Sequence, residues 1–249
     1  MIAGILILGI VGGLPSPMVN GHSHNDYLQT RPLWAALEAG MCSIEADVFL
    51  IDGELRVGHD LEAAKKGPSL YLAYILPLVE LEKVGGRLGK GWPEVTLLVD
   101  IKADGDAVFS VLGQIVSQFP GTFSTDEDVR AVRIVVSGDR PVAQILGNRT
   151  GWLALDGRRD DLGKGISVRR MPLVSEDWGW VGYNRNVDLP ALNFDKAKGF
   201  ADSIRAEGRK SRFWGVPDRA DFWGLMEKIG VDWLNTDRPA ALREWVLKK

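Results

Sequence analysis

The chain has 249 residues, of which 45% are hydrophobic and 25% charged, so it can bury one barrel-sized domain or two small ones. Its net charge of -3 at pH 7 leaves no basic excess, which argues against a nucleic-acid-binding protein. Cys42 is the only cysteine, and this excludes an internal disulfide and a cysteine-based metal site.

The first 17 residues differ in composition from the rest. An apolar run extends from Ile2 to Val11, and two glycines and two prolines follow. The run is too short for a transmembrane helix but has the length of a signal-peptide core, although a basic start and a small-x-small cleavage site are missing. We predict a leader or apolar extension over residues 1–17, with export to the periplasm or beyond, and one domain over 18–249. The alternative is a first buried strand in a cytoplasmic protein.

After Pro17, short runs typical of β-strands alternate with amphipathic helical stretches. Two apolar runs joined by Asp52-Gly53 predict a hairpin over residues 49–59. Eight further strands are predicted at 18–22, 42–50, 95–103, 132–138, 151–157, 171–177, 211–217 and 231–237. Helices are predicted at 32–40, 70–85 with Pro77 as a kink, 107–119, 141–147, 189–208, 219–230 and 239–249.

This alternation predicts an α/β protein, namely a (β/α)8 TIM barrel with a small hairpin insertion after the second strand. An open doubly wound sheet is the alternative, and it would be expected to carry a Gly-rich fingerprint after the first strand. The sequence there is GHSHND, residues 21–26.

All three histidines lie early in the chain, at His22, His24 and His59. His22 ends the first predicted strand, and the hairpin would carry His59 back over the barrel mouth. Two histidines on either side of a bound anion form an acid/base pair, because their ordinary pKa near 6.5 suits both roles near neutrality. His24 could serve instead of His22, or support it.

Carboxylates share one face of two predicted strands. Glu45 and Asp47 are two residues apart in SIEADVF, and Asp100 and Lys102 repeat this spacing in LLVDIKA. Neighbouring carboxylates repel unless they share a cation, a proton or a basic partner. Their oxygens suit Mg²⁺ or Ca²⁺, and Lys102 would add a fixed positive charge or form a structural ion pair with one of the acids.

Four segments together carry a family resemblance: GHSHNDY, SIEADVFLIDGELRVGHD, LLVDIK and GVDWLNTDRP. In this order they resemble the phosphatidylinositol-phospholipase-C-like phosphodiesterases, and within them the glycerophosphodiester phosphodiesterase branch and its bacterial relatives with an HNDY start. The resemblance spans about residues 18–241 and implies a (β/α)8 barrel that cleaves a phosphodiester with the help of one divalent cation. It implies catalytic roles for His22, His59 and Lys102, metal binding by Glu45, Asp47 and Asp100, and a polar substrate contact by Asn25.

Two departures from the family pattern affect the expected reaction. The usual H-R-G is H-S-H here, so the adjacent phosphate-binding arginine is absent; Arg31 and Arg140 are candidates to replace it. The third-strand motif D-I-K is closer to the sphingomyelinase-D-like lyases, which leaves formation of a cyclic phosphate as an alternative to hydrolysis. In either reaction, His22 would deprotonate the nucleophile and His59 would protonate the leaving alkoxide.

The expected partner is a small glycerophosphodiester or a (lyso)phospholipid, with transient contact at a membrane surface. His24, Trp214 and Trp233 are candidates to contact the substrate, with core packing as the alternative for the two tryptophans. Trp178 and Trp180 are expected in a loop at the barrel mouth.

Two other function classes remain open. A barrel that binds phosphate or a lipid headgroup without turnover is one. A binuclear amidohydrolase with Asp237 as its base is the other, but it requires histidine ligands on later strands, where this chain has none.

Overall fold

The structure is a computed structural model that describes residues 13–85, 88–182 and 193–249. The apolar run at residues 2–11 lies outside the described residues, so the predicted leader stays a prediction. Within the described ranges, no helix is both long and apolar enough to span a bilayer.

Within these described ranges, nine strands form one sheet. They are β1 Met18–Ser23, β2 Met41–Ile51, β3 Glu54–Val57, β4 Val95–Ile101, β5 Val132–Gly138, β6 Leu153–Gly157, β7 Leu173–Asp177, β8 Lys210–Trp214 and β9 Leu234–Thr236. Eight of them pair in parallel in the order β8-β7-β6-β5-β4-β2-β1-β9. A parallel bridge between Arg212 and Trp233 brings the two ends together. The predicted (β/α)8 barrel is confirmed, and the open sheet is excluded.

The described part of the chain contains eight α-helices, which cover the barrel. They are α1 Trp34–Glu38, α2 Leu61–Lys66, α3 Leu76–Gly85, α4 Gly105–Val116, α5 Val142–Gly147, α6 Phe194–Ala206, α7 Ala220–Ile229 and α8 Pro239–Leu247. The predicted helix at 70–85 begins as a π-turn at Tyr71–Ile75, directly before Pro77. Because Pro77 has no N–H to donate, the wider turn moves the backbone past the missing hydrogen bond without breaking the helix. The predicted start of α6 at 189–192 lies outside the described residues.

The predicted hairpin insertion is β2–β3. The strands pair antiparallel from Val48–Val57 to Ile51–Glu54. Asp52 and Gly53 both adopt left-handed backbone conformations, with φ of 51° and 81°. A two-residue turn of this kind matches the twist of the paired strands, which is why an Asp-Gly pair is favoured there.

Two apolar cores lie on opposite faces of the barrel wall. The outward residues of β2, such as Ile44, Ala46 and Val48, pack beneath the helices. A small cluster fills the inside of the barrel and consists of Leu98, Val135, Ala154, Leu173 and Trp233. The next inward positions toward the carboxyl ends of the strands are polar, and they form the floor of the candidate site.

Candidate active site

The acidic cluster lies where β2 and β4 run side by side. Asp47 and Asp100 are register partners, and ligand oxygens of Glu45, Asp47 and Asp100 all lie within 4.8 Å of one another. Each strand alternates its side chains between two faces, so the spacing of two places all these carboxylates inside the barrel. The predicted juxtaposition of the three acids is therefore present.

Two observations show that the cluster is suited to a hard cation. Oδ1 of Asp47 and Oδ1 of Asp100 are buried without a hydrogen-bond partner among the described residues. Burial, followed by the charge of Glu45, raises the pKa of Asp100 to about 6. Buried oxygens without donors and a disfavoured charge are what a divalent cation bound by three carboxylates would correct.

Lys102 extends over this cluster from the end of β4. Its Nζ lies 2.9 Å from Oδ2 of Asp47 and 3.2 Å from Oδ2 of Asp100. Burial alone would lower the pKa of Lys102, but the two carboxylates raise it overall. The ammonium group therefore stays charged, and it both pairs with the acids and presents positive charge to the mouth.

His22 lies below the mouth and is fully buried. Its Nδ1 is 2.7 Å from Ser43 Oγ, and its Nε2 is 2.9 Å from Oε2 of Glu45. Burial and the neighbouring Arg212 lower its pKa to about 4. Both ring nitrogens are occupied and no solvent reaches them, so His22 does not have the geometry for the proton transfer that sequence analysis assigned to it.

His24 has the geometry that His22 lacks. It lies just beyond the end of β1, and its side chain is 25% exposed. Its Nδ1 is 2.6 Å from Oδ1 of Asp237, which follows β9. Burial opposes the charge on this ring, but Glu45 and Asp237 raise its pKa overall. Since Nδ1 is anchored, and nothing among the described residues bonds to Nε2, the latter atom is available to a substrate.

A buried aspartate fixes the loop that carries His24. Asp26 accepts hydrogen bonds from Ser23 Oγ at 2.8 Å, from the Leu33 N–H at 2.5 Å and from Tyr74 Oη at 3.0 Å. Asn25 before it has a left-handed backbone, with φ of 47°. A non-glycine residue holds this conformation only where its surroundings impose it, and the bonds to Asp26 do so here.

Tyr27 and Asn25 connect this loop to the acidic cluster. The hydroxyl of Tyr27 donates to Oδ2 of Asp47 at 2.8 Å and lies 3.0 Å from Oδ1 of Asn25. Nδ2 of Asn25 lies 3.3 Å from Oδ1 of Asp237. Asn25 thus contacts protein groups on both sides of it, and its predicted substrate contact stays a prediction.

His59 approaches from the opposite side, at the end of the hairpin. Its Nδ1 lies 3.0 Å from Oδ2 of Asp47, and its side chain is 72% exposed. Asp60 caps α2 by accepting from the Ala63 N–H at 2.8 Å, which fixes the chain directly after the histidine. His59 therefore matches His24: each ring is anchored at Nδ1 by an aspartate and leaves Nε2 toward the mouth.

Arg212 is a site residue that sequence analysis missed. Its guanidinium is buried within the barrel, with Nη1 2.7 Å from Oε2 of Glu45 and 2.6 Å from Nε2 of His22. Arg31 pairs instead with Glu38 at the surface, and Arg140 donates to the carbonyl of Asp156. Neither replaces the missing arginine beside the histidine. The sequence did offer one signal for Arg212. Residues two apart on a strand share a face, so Arg212 lies on the same face as Trp214, at an inward position of the barrel.

The two candidate substrate-binding tryptophans have different positions. Trp214 is partly exposed at the end of β8, with the guanidinium of Arg158 4.8 Å from its ring centroid. Trp233 is buried in the inner core and stacks on His22 with ring centroids 5.7 Å apart. Trp233 does not reach the mouth, so the expectation of a substrate contact is wrong and the packing alternative holds. Trp178 is also buried, while Trp180 lies at the rim.

A cleft of about 510 Å³ lies beside His24 and Asp237. Its lining comprises His24, Asn25, Gly215, Val216, Pro217, Asp218, Asn235 and Asp237. It is large enough for a small polar ligand and lies between the ends of β1, β8 and β9.

Comparisons with known proteins agree with this arrangement. A family model described as the AIM6-like phosphodiesterase domain matches residues 16–86. Altered inheritance of mitochondria protein 6 homolog from Arthroderma benhamiae is 28% identical over 91% of this chain and 82% of its own length. The protein of the same name from Eremothecium gossypii is 27% identical over 87% of this chain, which spans 66% of that relative.

Two solved structures share the fold. A glycerophosphodiester phosphodiesterase from Agrobacterium tumefaciens has a TM-score of 0.54 at 13% identity, covering 91% of this chain and 97% of its own. A putative glycerophosphoryl diester phosphodiesterase from Silicibacter pomeroyi has a TM-score of 0.55 at 15% identity and covers 95% of each chain.

The match over residues 16–86 and the shared barrel fold agree with the predicted resemblance to the phosphatidylinositol-phospholipase-C-like phosphodiesterases. The AIM6-like match covers His24, Glu45, Asp47 and His59, whereas Asp100 and Lys102 lie beyond it. The structure joins these two parts, since β4 with its acid and lysine pairs directly with β2.

Proposed function

We propose that this chain hydrolyses a small glycerophosphodiester or a lysophospholipid, using a divalent cation held by Glu45, Asp47 and Asp100 and an acid/base pair formed by His24 and His59. One observation carries the proposal. Two histidines, each anchored at Nδ1 by a carboxylate, lie near a buried acidic cluster in which Oδ1 of Asp47 and Oδ1 of Asp100 have no donor among the described residues.

The acidic cluster supports binding of the phosphate group through charge. A cation held by Glu45, Asp47 and Asp100 would supply positive charge to the bound phosphate group. Lys102 presents a second positive charge from the end of β4, with its ammonium held by Asp47 and Asp100. Fixed charges of this kind favour a transition state in which the negative charge on the phosphoryl oxygens grows.

His24 is suited to the role of general base. Asp237 accepts from Nδ1, which leaves the lone pair of Nε2 for the proton of an attacking water. The carboxylate stabilises the imidazolium that forms, and this makes the ring a stronger base. Activation of a neighbouring hydroxyl of the substrate by the same atom would instead give the cyclic product.

His59 is suited to the role of general acid. Its partner Asp47 also accepts from Tyr27 and Lys102, so the charge of that carboxylate is shared among several groups. In this role the N–H at Nε2 would donate its proton to the leaving alkoxide. Exposure to solvent lets His59 recover the proton between turnovers.

Phosphorus NMR tests the proposal directly. Metal-stripped protein would be incubated with glycerophosphoethanolamine, glycerophosphoserine and lysophosphatidylcholine, with and without Mg²⁺ or Ca²⁺. We expect a cation-dependent phosphomonoester, and none from the His24→Ala, His59→Ala double variant. The matched control is Arg149→Gln, a change on an exposed loop at the opposite end of the barrel.

The product distinguishes the outcomes. A cyclic phosphate product would show that the same site catalyses cyclisation instead of hydrolysis. Turnover that persists in the double variant would show that the histidines do not carry out the reaction. Absence of turnover on all three diesters, with the cation still bound, would favour a barrel that binds without catalysis.

A further inference from the structure

Basic side chains cover the tryptophan rings on one sector of the barrel mouth. The guanidinium of Arg158 lies 4.8 Å from the ring centroid of Trp214. On Trp180, the guanidinium of Arg159 lies at 4.4 Å and the ammonium of Lys196 at 4.0 Å. We call these five residues the β6–β8 rim, because they follow or flank the ends of β6, β7 and β8.

The rim borders the catalytic cluster on two sides. Nη2 of Arg158 donates to Oγ of Ser137 at 3.2 Å, and Ser137 is the register partner of Asp100. Trp214 lies two residues after Arg212, whose guanidinium contacts Glu45. A phosphate at the acidic cluster would therefore point one of its two alcohol groups toward this rim.

Arg158 is fixed in place and still reaches solvent. Its Nη1 donates to Oδ2 of Asp156 at 2.8 Å and to the carbonyl of Gly157 at 3.0 Å. Asp156 itself is fully buried and is also held by the hydroxyls of Ser137 and Ser175. The Arg158 side chain remains 25% exposed, and no described residue accepts from its Nε–H. An anchored guanidinium with a free N–H edge is suited to an anionic group.

The other two cations of the rim are more exposed. Arg159 pairs with Glu176 at 3.3 Å, and its side chain is 39% exposed. Lys196 donates to the carbonyl of Trp180 at 2.6 Å and has no carboxylate partner among the described residues. The three cations of the rim thus have two carboxylate partners in the described part of the chain, Asp156 and Glu176.

From this arrangement we infer that the β6–β8 rim selects diesters whose second alcohol carries an anionic group, a carboxylate or a phosphate, and disfavours a quaternary ammonium. A quaternary ammonium binds on the open face of an aromatic ring. Here a guanidinium already lies over the ring of Trp214, and a guanidinium and an ammonium lie over the ring of Trp180, so a cation that approached either ring would meet like charge nearby. The inference rests on the proposed function for its location and names the substrate class.

Two diesters that differ by one carboxylate test the inference. The full chain would be assayed with glycerophosphoserine and glycerophosphoethanolamine, and with glycerophosphocholine as a third diester. We expect kcat/KM for the serine diester to exceed that for the ethanolamine diester about tenfold or more, with the choline diester slowest. A charge-assisted hydrogen bond to a partly buried guanidinium gives discrimination of this order.

Rim variants assign the preference to residues. Arg158→Gln is expected to lower kcat/KM for the serine diester about tenfold and to leave the ethanolamine diester within about threefold. Arg149→Gln removes the same charge from the far end of the barrel and should leave both values unchanged. The double variant Arg159→Gln, Lys196→Gln leaves Asp156 and its partners intact, and it keeps the test valid if Arg158→Gln fails to fold.

Binding without turnover separates this inference from the proposed function. Calorimetry with the His24→Ala, His59→Ala variant would compare the affinities of the same diesters. If the serine diester binds preferentially and the wild type turns over none of the diesters, the selectivity of the rim would be supported and the proposed catalytic function refuted. Turnover of all three diesters at equal kcat/KM, or equal losses on all of them in Arg158→Gln, would overturn the inference.

Discussion

At the scale of single residues, His24 and His59 differ in the carboxylate that anchors each ring. The carboxylate of Asp237 contacts His24 and has few other hydrogen-bond partners, whereas the carboxylate of Asp47 is shared by His59, Tyr27 and Lys102. This difference underlies the assignment of base and acid, and it gives two separate expectations for variants of the pair.

The leaving group distinguishes the two histidines. His59→Ala is expected to lower kcat about 100- to 10,000-fold on a glycerophosphodiester, because the departing alkoxide then lacks a proton donor. A nitrophenyl diester needs no such proton, so His59→Ala should lower its rate far less, whereas His24→Ala should lower both. Steady-state rates on the two substrates measure this, and equal losses in His59→Ala would refute its role as the acid.

Asp237 is expected to control the pH dependence through His24. Asp237 and Glu45 raise the pKa of His24, while Arg212 and burial lower it. If the neutral ring is the base, activity falls as the pH drops through this pKa. Asp237→Asn removes a negative neighbour, so the pKa falls and the acidic limb of kcat/KM should move to lower pH, with a loss of about 10- to 100-fold at the optimum.

Profiles of kcat/KM against pH for the wild type and Asp237→Asn check this expectation. A purely structural role for Asp237 would lower the whole profile and leave its acidic limb in place.

At the scale of elements, the hairpin β2–β3 positions His59. The backbone N–H of Gly58 donates to the carbonyl of Asp47 at 3.1 Å and thereby ties the end of the hairpin to a cluster residue. A Cβ on Gly58 would lie 2.4 Å from the backbone nitrogen of Ala64 in α2. The close packing of this glycine against a helix backbone therefore fixes the direction in which His59 leaves the hairpin.

Two glycines of the hairpin form a matched pair of variants. Gly58→Ala must displace either α2 or the hairpin end, so we expect a loss of about 1–3 kcal/mol in unfolding free energy and at least about tenfold in kcat/KM. Gly53→Ala has open space around its Cβ and meets only the cost of a positive φ, about 1 kcal/mol, with activity retained. Urea unfolding and steady-state assays measure both, and full activity in Gly58→Ala would contradict the positioning role.

At the scale of the whole molecule, the acidic cluster links stability to pH and to metal. The pKa of Asp100 is raised to about 6, above its ordinary value of 3.8. A raised carboxyl pKa means that the protonated form is favoured in the fold, so this contribution is complete below the ordinary pKa and is lost as the pH rises through about 6. The metal-free barrel should therefore lose stability between about pH 4 and pH 7 at this site.

Asp100→Asn is expected to remove this loss of stability at higher pH. At pH 7.5 the metal-free variant should be more stable than the metal-free wild type by about 1–3 kcal/mol, and at pH 4 the two should agree. A cation at about 100 times its Kd should stabilise the wild type by about 2.7 kcal/mol and the variant far less. Thermal unfolding with and without Mg²⁺ or Ca²⁺ measures these differences, and an equal response of both proteins to the cation would remove Asp100 from the site.

The sequence by itself determined the barrel and the acidic cluster. Strand periodicity is local: residues two apart share a face, and successive parallel strands of a barrel are neighbours. Glu45, Asp47, Asp100 and Lys102 could therefore be assigned to one site before any coordinates were known. The hairpin and its turn followed equally from the Asp52-Gly53 pair and the apolar runs beside it.

Only the tertiary structure decided which of the two histidines of β1 and its loop is accessible. His22 and His24 are two residues apart and share parity, so periodicity cannot separate them. The two histidines differ in how deep their rings lie in the barrel. That depth depends on where β1 ends and on the hydrogen bonds to Asp26 that turn the following loop. The groups that complete the site come from the far end of the chain: Asp237 is 213 residues from His24, and Arg212 is 190 residues from His22. Closure of the barrel creates these contacts, and no local pattern encodes them.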